Sequence, residues 1–146
     1  MERKKAQITL GKAKKRAVYA FQKWVRHRGH VGNINTCVTC GRMYPVSGRG
    51  VIQAGHFVVG RHNAILFDER NCFPQCYGCN IGKKGNVVKF YKFMLANFGQ
   101  KVIDELERLS NTTVIFSIQD YLDIEKKYQD KLENGEGVNV KWQILV

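Results

Sequence analysis

Cys37-Val-Thr-Cys40 and Cys76-Tyr-Gly-Cys79 bracket the part of the chain on which the rest depends, with Ala54-Gly55-His56 between them and Asn80 directly after the second pair. Two residues between cysteines is the loop size that lets both thiolates reach one tetrahedral zinc ion, so two such knuckles can close a four-sulfur site. Cys37, Cys40, Cys76 and Cys79 are therefore expected to hold one zinc. Four protein ligands leave no open position, so that ion is structural and any chemistry lies elsewhere.

Outward from this stretch, 146 residues of which 44% are apolar suit a single packed unit. The expected organisation is a basic arm and helix over 1–33, a zinc-stapled core over 34–100, and C-terminal helices and tail over 101–146 packed on that core. No apolar run approaches the roughly 18–20 residues of a membrane span. The first sixteen residues are basic and lack the apolar segment of a secretory signal, so a cytoplasmic location is expected. An odd cysteine count with paired spacing argues for a reducing compartment and metal rather than disulfides. The fifth cysteine, Cys72, reads as a small buried hydrophobe.

The net charge of +12 is unevenly spread. Residues 1–30 carry ten Lys and Arg against one acid, 31–100 carry eight against two, and 101–146 carry six against nine. A polyanion such as nucleic acid is the natural partner of the N-terminal arm and metal region; a plain solvated charge run is the alternative for the arm.

From Lys12 to Arg28, Ala13, Ala17, Ala20, Phe21, Trp24 and Val25 recur at helical spacing, with Lys14, Lys15, Arg16, Lys23 and Arg26 at other positions. This predicts an amphipathic helix with a basic face, suited to DNA phosphates, an acidic membrane or a partner. Gly29 and Gly32 end it. Pro45, Gly48 and Gly50 mark a hairpin or irregular turn. Residues 51–59 form a β-type run containing His56, and Ile65, Leu66 and Phe67 a second candidate strand. A helix is expected over 78–98, with Val87, Val88, Tyr91, Met94, Leu95 and Phe98 on its buried face. Gly82 and Gly85 distort or delay its first turn. Residues 102–109 form a short amphipathic helix, and Ser117-Ile-Gln-Asp120 is a capping-box variant opening a helix to about Glu133. The tail, 138–146, alternates weakly, as an edge or dimer-forming strand does.

Hydrolysing a phosphodiester requires a base to deprotonate water and a divalent cation to neutralise charge. His56 suits the first role at neutral pH. Asn80 offers a carbonyl oxygen to a hard cation that keeps most of its waters. Asn71 lies where its amide can hold the loop carrying His56. Arg49, Arg61, Lys83, Lys84 and Lys89 are candidate phosphate contacts. His27, His30 and His62 have no comparable support.

The order Cys-x-x-Cys, Ala-Gly-His, Asn and Gln-Cys-x-x-Cys-Asn resembles the HNH nucleases, whose ββα-metal finger presents a base on a strand and a metal ligand on the helix. More narrowly, Ala54-Gly55-His56-Phe57, Phe67-Asp68-Glu69-Arg70-Asn71, Gln75-Cys76-Tyr77-Gly78-Cys79-Asn80 and Gly85-Asn86 resemble the phage recombination proteins called NinG or Rap. Paired cysteines followed by Asn are also similar to the phage endonuclease VII resolvases. The resemblance implies an α+β fold with a ββα-metal core stapled by zinc, flanked by the basic helix and C-terminal helices. It further implies His56 as general base, Asn71 as orienter and Asn80 as ligand of a catalytic Mg²⁺ or Mn²⁺. The expected substrate is branched DNA, including Holliday junctions, cut by a homodimer that acts with other phage recombination proteins in the host cytoplasm. Many HNH enzymes place an Asp directly before the base, where this chain has Gly55; Asp68 or Glu69 is the candidate replacement, with surface salt bridges as the alternative. A non-catalytic zinc-stabilised DNA-binding module and a sequence-specific homing or restriction nuclease remain the rival readings.

Overall fold

The apolar stripe of the first helix forms as its spacing predicts in the computed structural model, which describes residues 6–60 and 63–145. Helix α1 spans Leu10–His27, and the Thr9 hydroxyl caps it by accepting from the Lys12 N–H. Its six expected core residues are all buried. They face a helix at the other end of the chain, α5, Ile118–Glu133, which opens with a complete capping box between Ser117 and Asp120. Phe21 and Trp24 close on Tyr128, with ring centroids 4.8 and 5.2 Å away. Each such buried aromatic contributes about 1.5–3 kcal/mol of burial. At the edge of this contact the Arg16 guanidinium donates to both oxygens of Glu125, at 2.7 and 2.6 Å.

Between these helices the chain makes two short antiparallel ladders. Strands β1, Ile34–Thr36, and β2, Met43–Pro45, form a hairpin carrying the first cysteine knuckle, in register Asn35 to Tyr44. Strands β3, Gln53–His56, and β4, Cys72–Gln75, pair from Gln53–Gln75 to His56–Cys72. Ile65 and Leu66 do not make the second strand expected of them. They sit in a single helical turn, α2, Asn63–Leu66, which buries both side chains, as adjacent residues of a half-exposed strand cannot. The strand beside His56 is β4 instead. All four of its residues are buried, Cys72 against Phe21 and Trp24 and Phe73 in the next cluster, so it has no alternation to read.

The helix expected over 78–98 is broken. A π-helical turn, Gly78–Gly82, carries Asn80. Lys84, Gly85 and Asn86 follow at φ +50°, +95° and +47°, and only then does α3 begin, Val87–Asn97. Its buried face is Phe90, Phe93 and Met94, whereas Val87, Val88, Tyr91 and Leu95 are exposed. The phenylalanines fill the space around Phe73 and so fix the rotation of the helix. Helix α4, Gln100–Ser110, buries Ile103 and Leu106 within the expected amphipathic stretch. The described part of the tail is not a strand. Trp142 packs on Phe73, Phe93 and Phe98, and the Asn97 amide satisfies both backbone groups of Gln143, the role a strand partner would have taken. No helix among the described residues is long and apolar enough to cross a membrane.

Candidate functional site

The four cysteines come together as their spacing predicts. Their Sγ atoms all lie within 4.8 Å of one another, and Cys40 and Cys76 are 3.8 Å apart. Sulfurs at about 2.3 Å from a tetrahedral zinc are roughly 3.8 Å apart, so the donor set fits that ion. The thiols are free, with no disulfide among the described residues. Backbone and side-chain donors already point at the sulfurs: the Cys79 N–H at Cys76 Sγ and Asn86 Nδ2 at Cys79 Sγ, each at 3.4 Å. Such outer contacts stabilise thiolates on a metal. The left-handed run at 84–86 brings Asn86 there. Cys72 stands apart, fully buried, its thiol pushed up to about 12 by burial, in keeping with a packing role.

His56 ends β3, with Ala54 and Cys72 on the face of the ladder turned toward α1. Its Nε2 lies 3.1 Å from the Leu66 carbonyl. A carbonyl only accepts, so Nε2 carries the proton and Nδ1 keeps its lone pair. Burial pushes the imidazole below its ordinary value of 6.5, against the upward pull of the Leu66 bond. The ring borders a groove of about 670 Å³ whose opposite wall is α1, including Lys14, Lys15, Tyr19 and Gln22. Asn71 is fully buried and clamps the segment after His56: its Oδ1 accepts from Val58 N–H at 2.8 Å and its Nδ2 donates to Val58 O at 3.1 Å.

Asn80 is tied to the same strand from the other face. Its Nδ2 donates to Gln53 Oε1 at 2.9 Å, and among the described residues its Oδ1 accepts no side-chain or backbone hydrogen bond. Gln53 and His56, three positions apart, point to opposite sides of the ladder, and Asn80 does not line the His56 groove. Gly55 is explained by packing. A Cβ there would stand 2.1 Å from Gln75 Oε1, because the buried Gln75 side chain crosses the glycine to donate to Thr39 Oγ1 and Gly85 O. An Asp at this position has no room.

Neither acidic candidate fills the gap. Asp68 is paired with Arg70 at 2.8 Å, and Glu69 with Lys131 at 2.7 Å and the Tyr128 hydroxyl at 3.0 Å. Burial raises Glu69, but its bonds to Lys131 and Tyr128 outweigh this and hold the carboxyl below its usual range. A divalent cation would therefore find one carboxamide oxygen, Asn80 Oδ1, a donor set that fits only an ion keeping most of its waters. Lys83 and Lys89 line, with Arg42, a cleft of about 390 Å³ beside the cysteines rather than the His56 groove. Lys84 is exposed in the left-handed turn and Arg49 in the loop after β2. Arg61 and His62 lie outside the described residues. Lys14 and Lys15, on the basic face of α1 beside its buried stripe, line the His56 groove, whereas the expected phosphate contacts Lys83 and Lys89 do not.

A hairpin and a π turn joined by four cysteines, flanking a two-stranded ladder that ends in a half-buried histidine, define an α+β protein built around a candidate metal knuckle. The chain belongs to the NinG family: the family described as "Bacteriophage Lambda NinG protein" matches residues 1–136. It is similar to Protein ninG of Escherichia phage 933W, 31% identical over 99 residues that make up 67% of this chain and 47% of that protein. Against Protein ninG of Escherichia phage lambda the identity is 30%, covering 67% and 46%, and against that of Salmonella phage P22 it is 28% over the same shares. The chain thus spans about half the length of the curated relatives it matches. No solved structure matches it.

Proposed function

We propose that the protein is a divalent-cation-dependent DNA endonuclease of the HNH, ββα-metal kind, acting on branched DNA. The observation that carries the reading is the state of His56: with Nε2–H committed to a backbone carbonyl and burial disfavouring the imidazolium, Nδ1 is an unprotonated base at neutral pH beside a basic groove. His56 Nδ1 takes a proton from water, whose oxygen attacks the phosphorus. Asn71 fixes the segment that follows the base. A Mg²⁺ or Mn²⁺ ion held by Asn80 Oδ1 would neutralise charge at the phosphate and the leaving 3′ oxygen. Because His56 and Asn80 lie on opposite faces of the two-stranded ladder, a phosphate served by both would have to lie across its edge. Cys76 and Cys79 flank the start of the π turn that carries Asn80, and zinc held by the four cysteines would fix that turn. Two cuts resolve a junction, so a symmetric dimer is the expected form, and phage recombination proteins the expected company.

The test is cleavage of a labelled four-way junction, a flap, a linear duplex and a single strand, each with and without Mg²⁺. His56→Ala should lose at least about a hundredfold in rate while zinc content and junction binding stay near wild type. Retained cleavage in that variant refutes the assignment. The acid limb of the pH–rate profile should fall below 6.5, because activity appears as His56 deprotonates and its folded value is depressed. Asn80→Ala should slow cleavage in a way that extra Mn²⁺ partly restores. Salt-sensitive binding with no nicking under any metal would establish the non-catalytic module instead, a reading favoured by the single oxygen donor.

A further inference from the structure

The groove beside His56 has a second wall that the chemistry above does not use. Helix α1 presents to it Lys14, Lys15, Tyr19 and Gln22, a stripe one step round the helix from the buried alanines. The helix contains Lys12, Lys14, Lys15, Arg16, Lys23 and Arg26 and no acid. Glu125 pairs with Arg16, and among the described residues neither Lys14 nor Lys15 makes an ion pair. Among the described residues the ammonium groups of Lys14 and Lys15 along the groove are therefore without an ion-pair partner. Tyr19 lines it, 63% exposed, with Lys15 of the same groove one turn before; Lys23, one turn after, lines the neighbouring pocket that Tyr19 also borders.

An exposed aromatic ring flanked by cations along an open channel is the arrangement that grips a single-stranded backbone while a base lies on the ring. Paired bases in a duplex are stacked on each other and offer no free face, whereas an unpaired nucleotide at the branch of a flap does; a fully paired four-way junction offers one only if a pair opens at its centre. We propose that the groove between α1 and β3 seats an unpaired nucleotide of branched DNA, with its base stacked on Tyr19 and its flanking phosphates against Lys14 and Lys15. This rests on the reading of DNA as the substrate and adds the element that selects the branch. Contacts to phosphate read the path of the backbone and not the bases, and a group that reads an unpaired base adds a second means of preferring a flap or other branch with one. Tyr19 delivers that reading on the same groove as the base His56.

The experiment uses the full zinc-loaded chain without added Mg²⁺, and two probes of one sequence: a flap with 2-aminopurine at the unpaired branch nucleotide, and a linear duplex with it paired. The wild type should change the fluorescence of the flap probe on binding and bind it more tightly than the duplex. Tyr19→Ala should abolish that change and weaken flap binding about tenfold to a hundredfold with duplex binding unaltered, and Tyr19→Phe should restore both. A Lys14→Ala, Lys15→Ala pair should lower the slope of log affinity against log salt by about 1–2. Tyr19→Ala with wild-type flap preference, or with equal losses on flap and duplex, overturns the proposal; the exposed position makes misfolding a poor explanation, and an unchanged melting curve checks it. A wild type that never cleaves in Mg²⁺ but shows the Tyr19 effect refutes the nuclease reading alone. Cleavage with branch binding indifferent to Tyr19 refutes the groove alone.

Discussion

The cysteine end and the helical end of this chain are held together by different means. Around the four cysteines the buried aliphatic material is Val46 and Ile52, with Tyr44 partly covered. Between α1 and α5, by contrast, Phe21, Trp24, Tyr128 and Val25 form one cluster, and Ala13, Ala17 and Tyr121 continue it as a second. A core of two aliphatic side chains does not offset the conformational entropy of ordering a hairpin and a turn, at about 1–2 kcal/mol per residue. The first region is therefore the one that a metal on the four clustered thiols would hold together, and the second has a core of its own.

The largest effect expected from this contrast is that of removing the metal. A strong chelator should withdraw the whole of a structural-zinc binding free energy, about 10–16 kcal/mol, from the knuckle, and Cys76→Ser part of it. Amide exchange should then accelerate over β1, β2 and the π turn while α1 and α5 stay protected. Uniform loss of protection across the chain would show that the two regions are one cooperative unit. Next in size, Trp24→Ala should cost about 3–5 kcal/mol in urea unfolding by emptying the α1–α5 cluster, with zinc stoichiometry unchanged. Loss of zinc in that variant would break the separation from the opposite side. Smallest is the seam between the regions. Gly55→Ala should destabilise by about 1–3 kcal/mol through its clash with Gln75, and a double-mutant cycle with Gln75→Ala should show coupling between the two.

What the sequence could show follows the same division. Helices α1, α4 and α5 have clear helical periods and a capping box, and the Cys-x-x-Cys spacing carries its own geometry, so these were readable from residues alone. Strand β4 was not, because Cys72-Phe-Pro-Gln75 is buried on both faces and has no alternation. Ile65-Leu66-Phe67, apolar and short, fits either a strand or a helical turn, and only the packing of Ile65 and Leu66 decides between them. In α3 two apolar stripes compete, and the phenylalanines win on volume. At the candidate site, His56, Asn71 and the cysteines were identifiable by type and order. The faces of the ladder on which His56 and Asn80 lie, and the approach of Lys14 and Lys15 to His56, depend on strand register and on how α1 crosses β3. No local pattern encodes either.

The chain has two tryptophans, and the fold puts one on each side of β4. Trp24 lies between α1 and α5, while Trp142 lies against Phe73 in the cluster that also contains Val38, next to Cys37 of the four-cysteine cluster. The two indoles share one neighbour, the Arg28 guanidinium, 4.9 Å from the Trp24 ring and 5.1 Å from that of Trp142, so intrinsic emission reports both halves and their junction. With Trp142→Phe the remaining indole follows the α1–α5 packing and its Arg28 contact, and with Trp24→Phe it follows the cluster around Phe73 and the same arginine, with no dye attached.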